Sequence, residues 1–406
     1  MLKNNYDIIF LALPRWDSKY SSTSLSLAKE LAKNNRVFYI DNPFTIVDFF
    51  RLFRSKYIQR RLKSLIWGRD KIHKPYSHLN FYAITPHPII PINFLPAGFV
   101  YKLLAKINDK ILFMSISDCL EKMKIHEFIF INSFNPLYGK YFPANFKPQV
   151  KIYQTVDDIS QSLYINKHGS RLEEYHIKNS DITLTTSIEL KNLKKHLSKS
   201  VNYLPNAADF SIFNSVVEGN YNKPNEIAFL NYEKIVTYTG HVDLRVDHEL
   251  LLAIANYYPK YLILLIGPVS PHDSKLPELQ KTKNILFAGK KNLATLPSYL
   301  QYTDCTIIPF KKTKLTKSIY PLKINEYLAA GLPVVSTEFS EDIASFHNVA
   351  YIAKNQEEFI HAIDYCISND STHSQKERIK VAKENTWEKR INQFWEILDL
   401  NINSNE

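Results

Sequence analysis

The stretch SIYPLKINEYLAAGLPVVS, residues 318 to 336, sets a lysine and a glutamate three positions apart, Lys323 and Glu326, between a proline and a glycine. Pro321 suits a helix start, because its missing N–H is one of the donors that a helix start leaves unsatisfied, and Gly331 suits the stop. The spacing predicts a helix of about ten residues, followed by an apolar strand, LPVVS. Around its start stand Ser318, Ile319, Tyr320, Pro321 and Leu322. Free N–H groups and the positive end of the helix dipole make such a place suited to a phosphate or diphosphate. Lys323 adds a full positive charge there. Glu326, one turn further on the same face, can accept hydrogen bonds from a vicinal diol such as a ribose. Diphosphate and ribose together describe a nucleoside diphosphate. The plainer alternative is a surface Lys–Glu pair, worth only a few tenths of a kcal/mol; the loop, helix and buried strand in series outweigh it.

Other segments converge on that site. In YTGHVDLRVDHELLL, Gly240 ends a strand and lets a ligand approach the backbone, His241 follows it, and Arg245 brings a second cation. Strand-end turns at GPVS (Gly267, Pro268), AGK (Gly289, Lys290) and IPF (308 to 310) are placed to wall a base and sugar pocket.

These residues need a scaffold, and the alternation of apolar runs supplies one. DIIFLAL, a helical stretch SLSLAKELAKNN and RVFYID form a strand, helix, strand unit, which implies a parallel sheet with right-handed crossovers. EFIFIN, VKIYQTV and SDITLTTS add strands to the same sheet. Residues 204 to 226 mix Pro, Asn and Gly without periodicity and mark a junction. The pattern then restarts with KIVTYTG, YLILLIG, NILFAG, CTIIPF and LPVVS, and ends in a helix, TWEKRINQFWEILDL. The fold class is α/β: two Rossmann-like doubly wound domains, 1–205 and 206–385, with a helix and tail, 386–406, crossing back to the first domain. Two such halves are expected to face each other across a cleft, where ligands of open α/β sheets bind.

With 406 residues, 45% hydrophobic and 22% charged, the chain has material for two cores. No apolar run reaches the roughly 18 residues of a spanning helix. The start, MLKNNYDIIFLALPRWD, turns polar too early for a signal peptide, so the expected compartment is the cytoplasm. Cys119, Cys305 and Cys366 form no C-x-x-C and are expected reduced and packed. The net charge of +11 is one-sided: residues 1 to 205 hold 30 Lys+Arg against 16 Asp+Glu, and the rest 21 against 24. An anionic partner of the first half fits, a membrane surface or a phosphorylated acceptor, and no nucleic-acid motif accompanies it. Residues 44–69, FTIVDFFRLFRSKYIQRRLKSLIWGR, interleave Phe49, Phe50, Phe53, Leu62 and Trp67 with six Lys and Arg between positions 51 and 63. An interfacial helix on anionic lipid, at the inner face of the cytoplasmic membrane, has that composition. Residues 94–114 are a weaker second stretch; covering the sheet is the plainer role for both.

In order, SDITLTTS, LPNAADFSIF, YTGHVDLRVD, LLIGP, NILFAGKKNLATLPSYL, DCTIIPF and PLKINEYLAAGLPVVST resemble the C-terminal domain of the GT-B-fold glycosyltransferases, in particular the retaining, nucleotide-sugar-dependent family of bacterial polysaccharide assembly. The resemblance spans most of residues 180 to 340, and implies a transferase moving a sugar from a nucleotide-diphosphate sugar to a glycan or lipid-linked acceptor. By it, Glu326 matches the second glutamate of an E-x(7)-E motif and binds the donor ribose, while Ser318 stands where the first glutamate belongs. Lys323 and Arg245 match the cations that stabilise the leaving diphosphate, the largest catalytic contribution such a site can make. The implied mechanism is metal-independent, with no cofactor beyond the donor, and the chain contains no D-x-D. Asp157, in YQTVDDIS, falls where the family places a group facing the reacting sugar, with Asp158 as alternate; capping the next turn is the plainer role for both. Asn132, Asn135, Trp16 and Asp17, in loops after strands, are candidate acceptor contacts. Two other readings stay open: a nucleotide-sugar epimerase on the same fold, and a binding module with a degenerate donor site, to which Ser318 and the nine glycines point.

Overall fold

The computed structural model describes residues 5–18, 22–68, 70–162, 165–270 and 276–403. It divides into two compact units: Met1–Thr186 with Leu190–Leu204 and Ile391–Glu406, and Ser187–Glu189 with Pro205–Arg390.

The first unit is built on eight strands: β1 (Asp7–Ala12), β2 (Arg36–Ile40), β3 (Ile72–His73), β4 (Phe81–Ile84), β5 (Ile129–Ser133), β6 (Val150–Thr155), β7 (Ile182–Thr185) and β8 (Val201–Tyr203). Their order is β3-β4-β2-β1-β5-β6-β7-β8, parallel throughout except where β3 runs against β4. Strands such as IIFLA and VFYI are apolar without alternation because both faces are covered; Ile8 to Ala12 and Val37 to Ile40 are fully buried. The expected first helix forms at Thr23–Leu31, capped by Ser22, whose hydroxyl accepts from the Leu25 N–H at 3.3 Å. Trp395 packs on Tyr6 with ring centroids 5.2 Å apart, and Gln393 donates to the Tyr203 carbonyl.

Residues 44–69 form three short helices, Ile46–Arg51, Lys56–Gln59 and Leu62–Trp67, in place of the single interfacial helix expected. The breaks have local causes. Thr45 and Asp48 close a capping box on the first helix, Ser55 caps a fresh start through the Ile58 N–H, and Gly68 ends the third in a left-handed conformation at φ 62°. Arg69 lies outside the described residues. Residues 94–114 enter a 24-residue helix, Phe99–Lys122, that leaves Phe99, Val100, Leu103, Ile107 and Met114 exposed. No helix among the described residues is long and apolar enough to cross a membrane.

The second unit carries six parallel strands: β9 (Lys234–Thr239), β10 (Tyr261–Ile266), β11 (Ile285–Gly289), β12 (Cys305–Ile308), β13 (Val334–Thr337) and β14 (Tyr351–Ala353). Their order is β11-β10-β9-β12-β13-β14. The order reverses beside β9, and the C-terminal ends of β9, β10 and β12 there carry the segments singled out above. One apolar core runs beneath them, with Val236, Tyr238, Leu265, Ile307, Phe310, Ile324, Tyr327 and Leu328 all essentially buried. The three cysteines are free; Cys119 and Cys305 are buried and Cys366 is partly so.

Candidate functional site

The helix that holds Lys323 and Glu326 spans Leu322–Ala329, eight residues rather than about ten, because Pro321 is extended at φ −78°, ψ 124° and stands at the cap. Gly331 follows the last turn at φ 72°. No side chain caps the helix start, and of its first N–H groups Ile324 reaches back to the Pro321 carbonyl at 3.3 Å. The helix is tied down on both flanks. The Tyr327 hydroxyl accepts from the Thr239 N–H at 2.7 Å and the Thr239 hydroxyl at 3.0 Å, at the end of β9. The Asn325 amide donates to the Asn206 carbonyl at 3.3 Å and accepts from the Tyr320 hydroxyl at 3.2 Å.

That anchoring fixes Lys323. Its Nζ lies 4.6 Å from the Phe310 ring centre and 5.2 Å from that of Tyr238. Gly240, at φ 133°, is the floor: a Cβ there would stand 3.2 Å from the lysine Cε and 3.2 Å from the Tyr238 Oη. Gly267, at φ 155°, is tighter, since a Cβ would come within 1.9 Å of the Gly240 carbonyl oxygen. The turns after β9 and β10 are zipped together by Gly240 N–H to Ile266 O at 2.8 Å, Val242 N–H to Pro268 O at 2.9 Å and Ser270 N–H to Val242 O at 2.9 Å. Glycine at 267 is therefore demanded by the approach of the Gly240 backbone, and at 240 by its positive φ and the crowding Lys323 and Tyr238 side chains.

Around this floor sit the other polar groups. Arg245 binds Asp243 in a fork, Nε to Oδ1 at 2.9 Å and Nη2 to Oδ2 at 2.7 Å, with its guanidinium carbon 5.8 Å from the Phe310 centre. His241 pairs Nε2 with the Ser270 hydroxyl at 3.0 Å and turns Nδ1 toward Asp243 at 3.4 Å. Burial pushes the Asp243 carboxyl up, but the hydrogen bonds and charge of Arg245 outweigh it and hold the carboxyl below its ordinary value. Burial lowers the Lys323 amine, and the Arg245 charge adds to that against the opposing pull of Glu326 and Asp243. Glu326 is raised, mainly by burial, with Lys323 opposing and Asp209 adding. A half-buried cation and a half-buried anion thus stand where their charged forms are only partly solvated, a condition that an oppositely charged or hydrogen-bonding ligand relieves.

Ser318 is fully buried and donates to the Leu315 carbonyl at 2.8 Å, closing the turn Lys314–Lys317. Ile319 and Tyr320 are buried as well. Gly289 pairs with Ile266 in the sheet and has open space at its Cα, and Lys290 beyond it is exposed. The structure therefore gathers Gly240, His241, Arg245, Gly267, Pro268 and Lys323 directly, sets Glu326 one turn away, and puts Gly289 and Lys290 at the neighbouring strand end. Sequence reasoning passed over Tyr238, Asp243 and Tyr327. Tyr327 was findable, since it continues the inward face of Ile324 and Leu328; Asp243 carries no signal until Arg245 is seen folded onto it.

In the first unit the candidates lie at the C-terminal ends of adjacent strands β1, β5 and β6. Asn132 is 1% exposed, donating to the Asn135 carbonyl and accepting the Asn135 N–H, each at 3.1 Å. Asn135 is buried and donates to Ala12 O at 3.2 Å. Asp158 caps the turn Ile159–Gln161, accepting the Ser160 N–H at 3.0 Å, and Asp157, partly buried, precedes it. Asp17 accepts from the two terminal guanidinium nitrogens of Arg61 at 2.8 and 2.9 Å, and Trp16 meets the His73 ring edge-on at 4.8 Å.

Residues 233–369 match the family model described as Glycosyl transferases group 1. The second unit carries a group 1 glycosyl transferase domain. This transferase domain contains β9 to β14 and the Leu322–Ala329 helix entire. A Bacillus subtilis (strain 168) protein named as a teichuronic acid biosynthesis glycosyltransferase, TuaH, is 25% identical over 217 residues, 51% of this chain. The match spans about half, 53%, of that relative's length. Among solved structures, sucrose-phosphate synthase from Thermosynechococcus elongatus superposes with TM-score 0.66 at 13% identity, covering 98% of this chain and 100% of that one. HepE from Anabaena, in complex with UDP and glucose, gives TM-score 0.63 at 13% identity, covering 97% and 100%. Identities that low show the fold, which is the two-unit α/β architecture called GT-B.

Proposed function

We propose that the protein is a glycosyltransferase that moves a sugar from a nucleotide-diphosphate sugar to a glycan or lipid-linked acceptor during polysaccharide synthesis, with retention of anomeric configuration. The observation that carries this reading is Lys323. Its amine sits over the Tyr238 and Phe310 rings, beside Gly240 and at an uncapped helix start, and makes no ion pair among the described residues. When the bond from the sugar carbon to the diphosphate oxygen breaks, negative charge collects on the diphosphate. Lys323, Arg245 and the helix N–H groups offset that charge, and Glu326 orients the nucleoside by accepting from the ribose hydroxyls. Asp157 is assigned to the acceptor hydroxyl, on the first unit. The names of the relative and of the Anabaena complex, teichuronic acid biosynthesis and UDP with glucose, support the reaction class. Thermal shift with UDP- and GDP-sugars, followed by release of free nucleoside diphosphate with bacterial lipid-linked acceptors, tests it. Stabilisation by a donor and turnover lost in Glu326→Ala are expected; no stabilisation by any donor favours a binding module instead.

The acceptor side is assigned to a membrane surface. Phe50 and Trp67 are 72% and 63% exposed, beside Arg51, Arg54, Lys56 and Lys63. The Phe99–Lys122 helix adds an apolar stripe flanked by Lys102, Lys106 and Lys110, all exposed. Apolar groups ringed by cations suit anionic lipid. Co-sedimentation with anionic vesicles should fall when the exposed Arg51, Arg54, Lys56 and Lys63 are charge-reversed with the buried Arg61 kept, and equal pelleting contradicts the assignment.

A further inference from the structure

The first unit holds a cavity of about 460 Å³ lined by its own residues. Productive ligand pockets fall between about 300 and 1,000 Å³. Trp16 and His73 form one corner, ring centroids 4.8 Å apart at 66°. Gln59, Arg60, Lys63 and Asp70 stand around it. Beneath lies Arg61, 2% exposed, held by Asp17 and Asp41, which are 3% and 1% exposed. Arg61 is spent: Nε and Nη2 go to Asp41 at 2.9 and 2.8 Å, and Nη1 and Nη2 to Asp17 at 2.9 and 2.8 Å. Buried ion clusters contribute little net stability over apolar packing, so one under a cavity points to a fixed shape.

The rim differs from the floor. Arg60 and Lys63 are 58% and 74% exposed. The nearest carboxylate to Arg60 is Asp17, at 3.5 Å and already engaged by Arg61; Lys63 reaches Asp70 only at 3.9 Å. The Trp16 indole N–H is buried and finds no acceptor among the described residues. Of the buried polar atoms without a partner among the described residues, it alone belongs to a residue lining this cavity, and a ligand oxygen is one explanation. From these contacts we infer that the cavity is a subsite for an acidic sugar, one bearing a carboxylate or a phosphate. The sugar ring lies against the Trp16–His73 corner, its anionic group bridges Arg60 and Lys63, and Gln59 and Asp70 take hydroxyls. Desolvation, with the Arg61 charge, lowers His73, which keeps its ring neutral against the sugar. The inference deepens the transferase reading, in which the first unit takes the acceptor.

The test is calorimetric titration of the full chain with methyl glucuronide, glucose 6-phosphate, methyl glucoside and inorganic phosphate, with UDP binding as the parallel readout. At least one acidic sugar should bind, methyl glucoside should bind at least tenfold more weakly, and the two acidic arms show which anion is preferred. The exposed pair Arg60→Gln/Lys63→Gln should lose about tenfold for acidic sugars, Gln59→Trp should abolish binding by filling the cavity, and both should keep UDP affinity. Acidic and neutral sugars binding alike, no sugar binding, affinity unchanged in the double variant, or phosphate alone matching glucose 6-phosphate would each overturn the inference. Acidic-sugar binding without any nucleotide binding would support the subsite and remove the transferase reading.

Discussion

The buried charges of the first unit and the half-buried pair Lys323 and Glu326 of the second are treated in opposite ways. In the first, polar groups are matched to one another: Arg61 with Asp17 and Asp41, Glu173 with Lys194 at 2.6 Å and the Thr155 hydroxyl at 2.7 Å, Asn132 with Asn135. In the second, Lys323 rests on aromatic rings and Glu326 sits one turn away with burial raising it. Matched charges hold a shape; charges left without their solvent wait for a ligand. The contrast teaches that burial by itself marks neither role, and that the partner list decides.

Substitutions can break the contrast, beginning with the largest effect. Arg61→Met leaves Asp17 and Asp41 buried without their cation and should lower unfolding stability by about 3–5 kcal/mol, read from the urea midpoint, with nucleotide binding intact in the folded fraction. Lys323→Ala should do the reverse: turnover down by roughly 10²–10³-fold, as for loss of a charge-stabilising group, with the urea midpoint unchanged or raised. If Lys323→Ala unfolds the chain, its charge is structural and the contrast collapses. Tyr327→Phe leaves the buried Thr239 N–H without its acceptor, at about 1–3 kcal/mol of stability, and loosens Lys323 from Gly240, so donor affinity should weaken with it. The smallest effect is in the pH profile. Binding needs Glu326 ionised and Lys323 protonated. Affinity should rise as pH climbs through the raised Glu326 value and fall as it climbs through the lowered Lys323 value, so both limbs lie nearer neutrality than for a free glutamate and lysine. A nucleotide affinity that stays flat from about pH 5 to about pH 10 would contradict the burial argument.

How much was legible follows from the same contrast. Both parallel sheets were, because strands buried on two faces, such as YLILLI, announce themselves as unbroken apolar runs. The short strands β3, β4, β8 and β14, of two to four residues, were not, since FYAI or YIA carries too few positions to show a period. The donor helix was legible because one segment of chain holds its proline, lysine, glutamate and glycine together. Its length was overread: Pro321 fixes its own φ, yet its ψ of 124° keeps it outside the helix. The ion cluster of the first unit was invisible, since Asp17, Asp41 and Arg61 come from three separate loops and only the folded chain joins them. For residues 44–69, composition gave the amphipathic character but not the breaks, which depend on whether Thr45 and Ser55 turn their hydroxyls onto backbone N–H groups.

The central claim is that the Leu322–Ala329 helix and Lys323 receive a nucleoside diphosphate. Calorimetric titration of UDP and GDP into the wild-type chain and into Lys323→Ala tests it directly. At least one nucleotide should bind the wild type and bind the variant at least tenfold more weakly, with an unchanged urea midpoint certifying the fold. Equal affinity in the two proteins, or no binding of either nucleotide to the wild type, would contradict it.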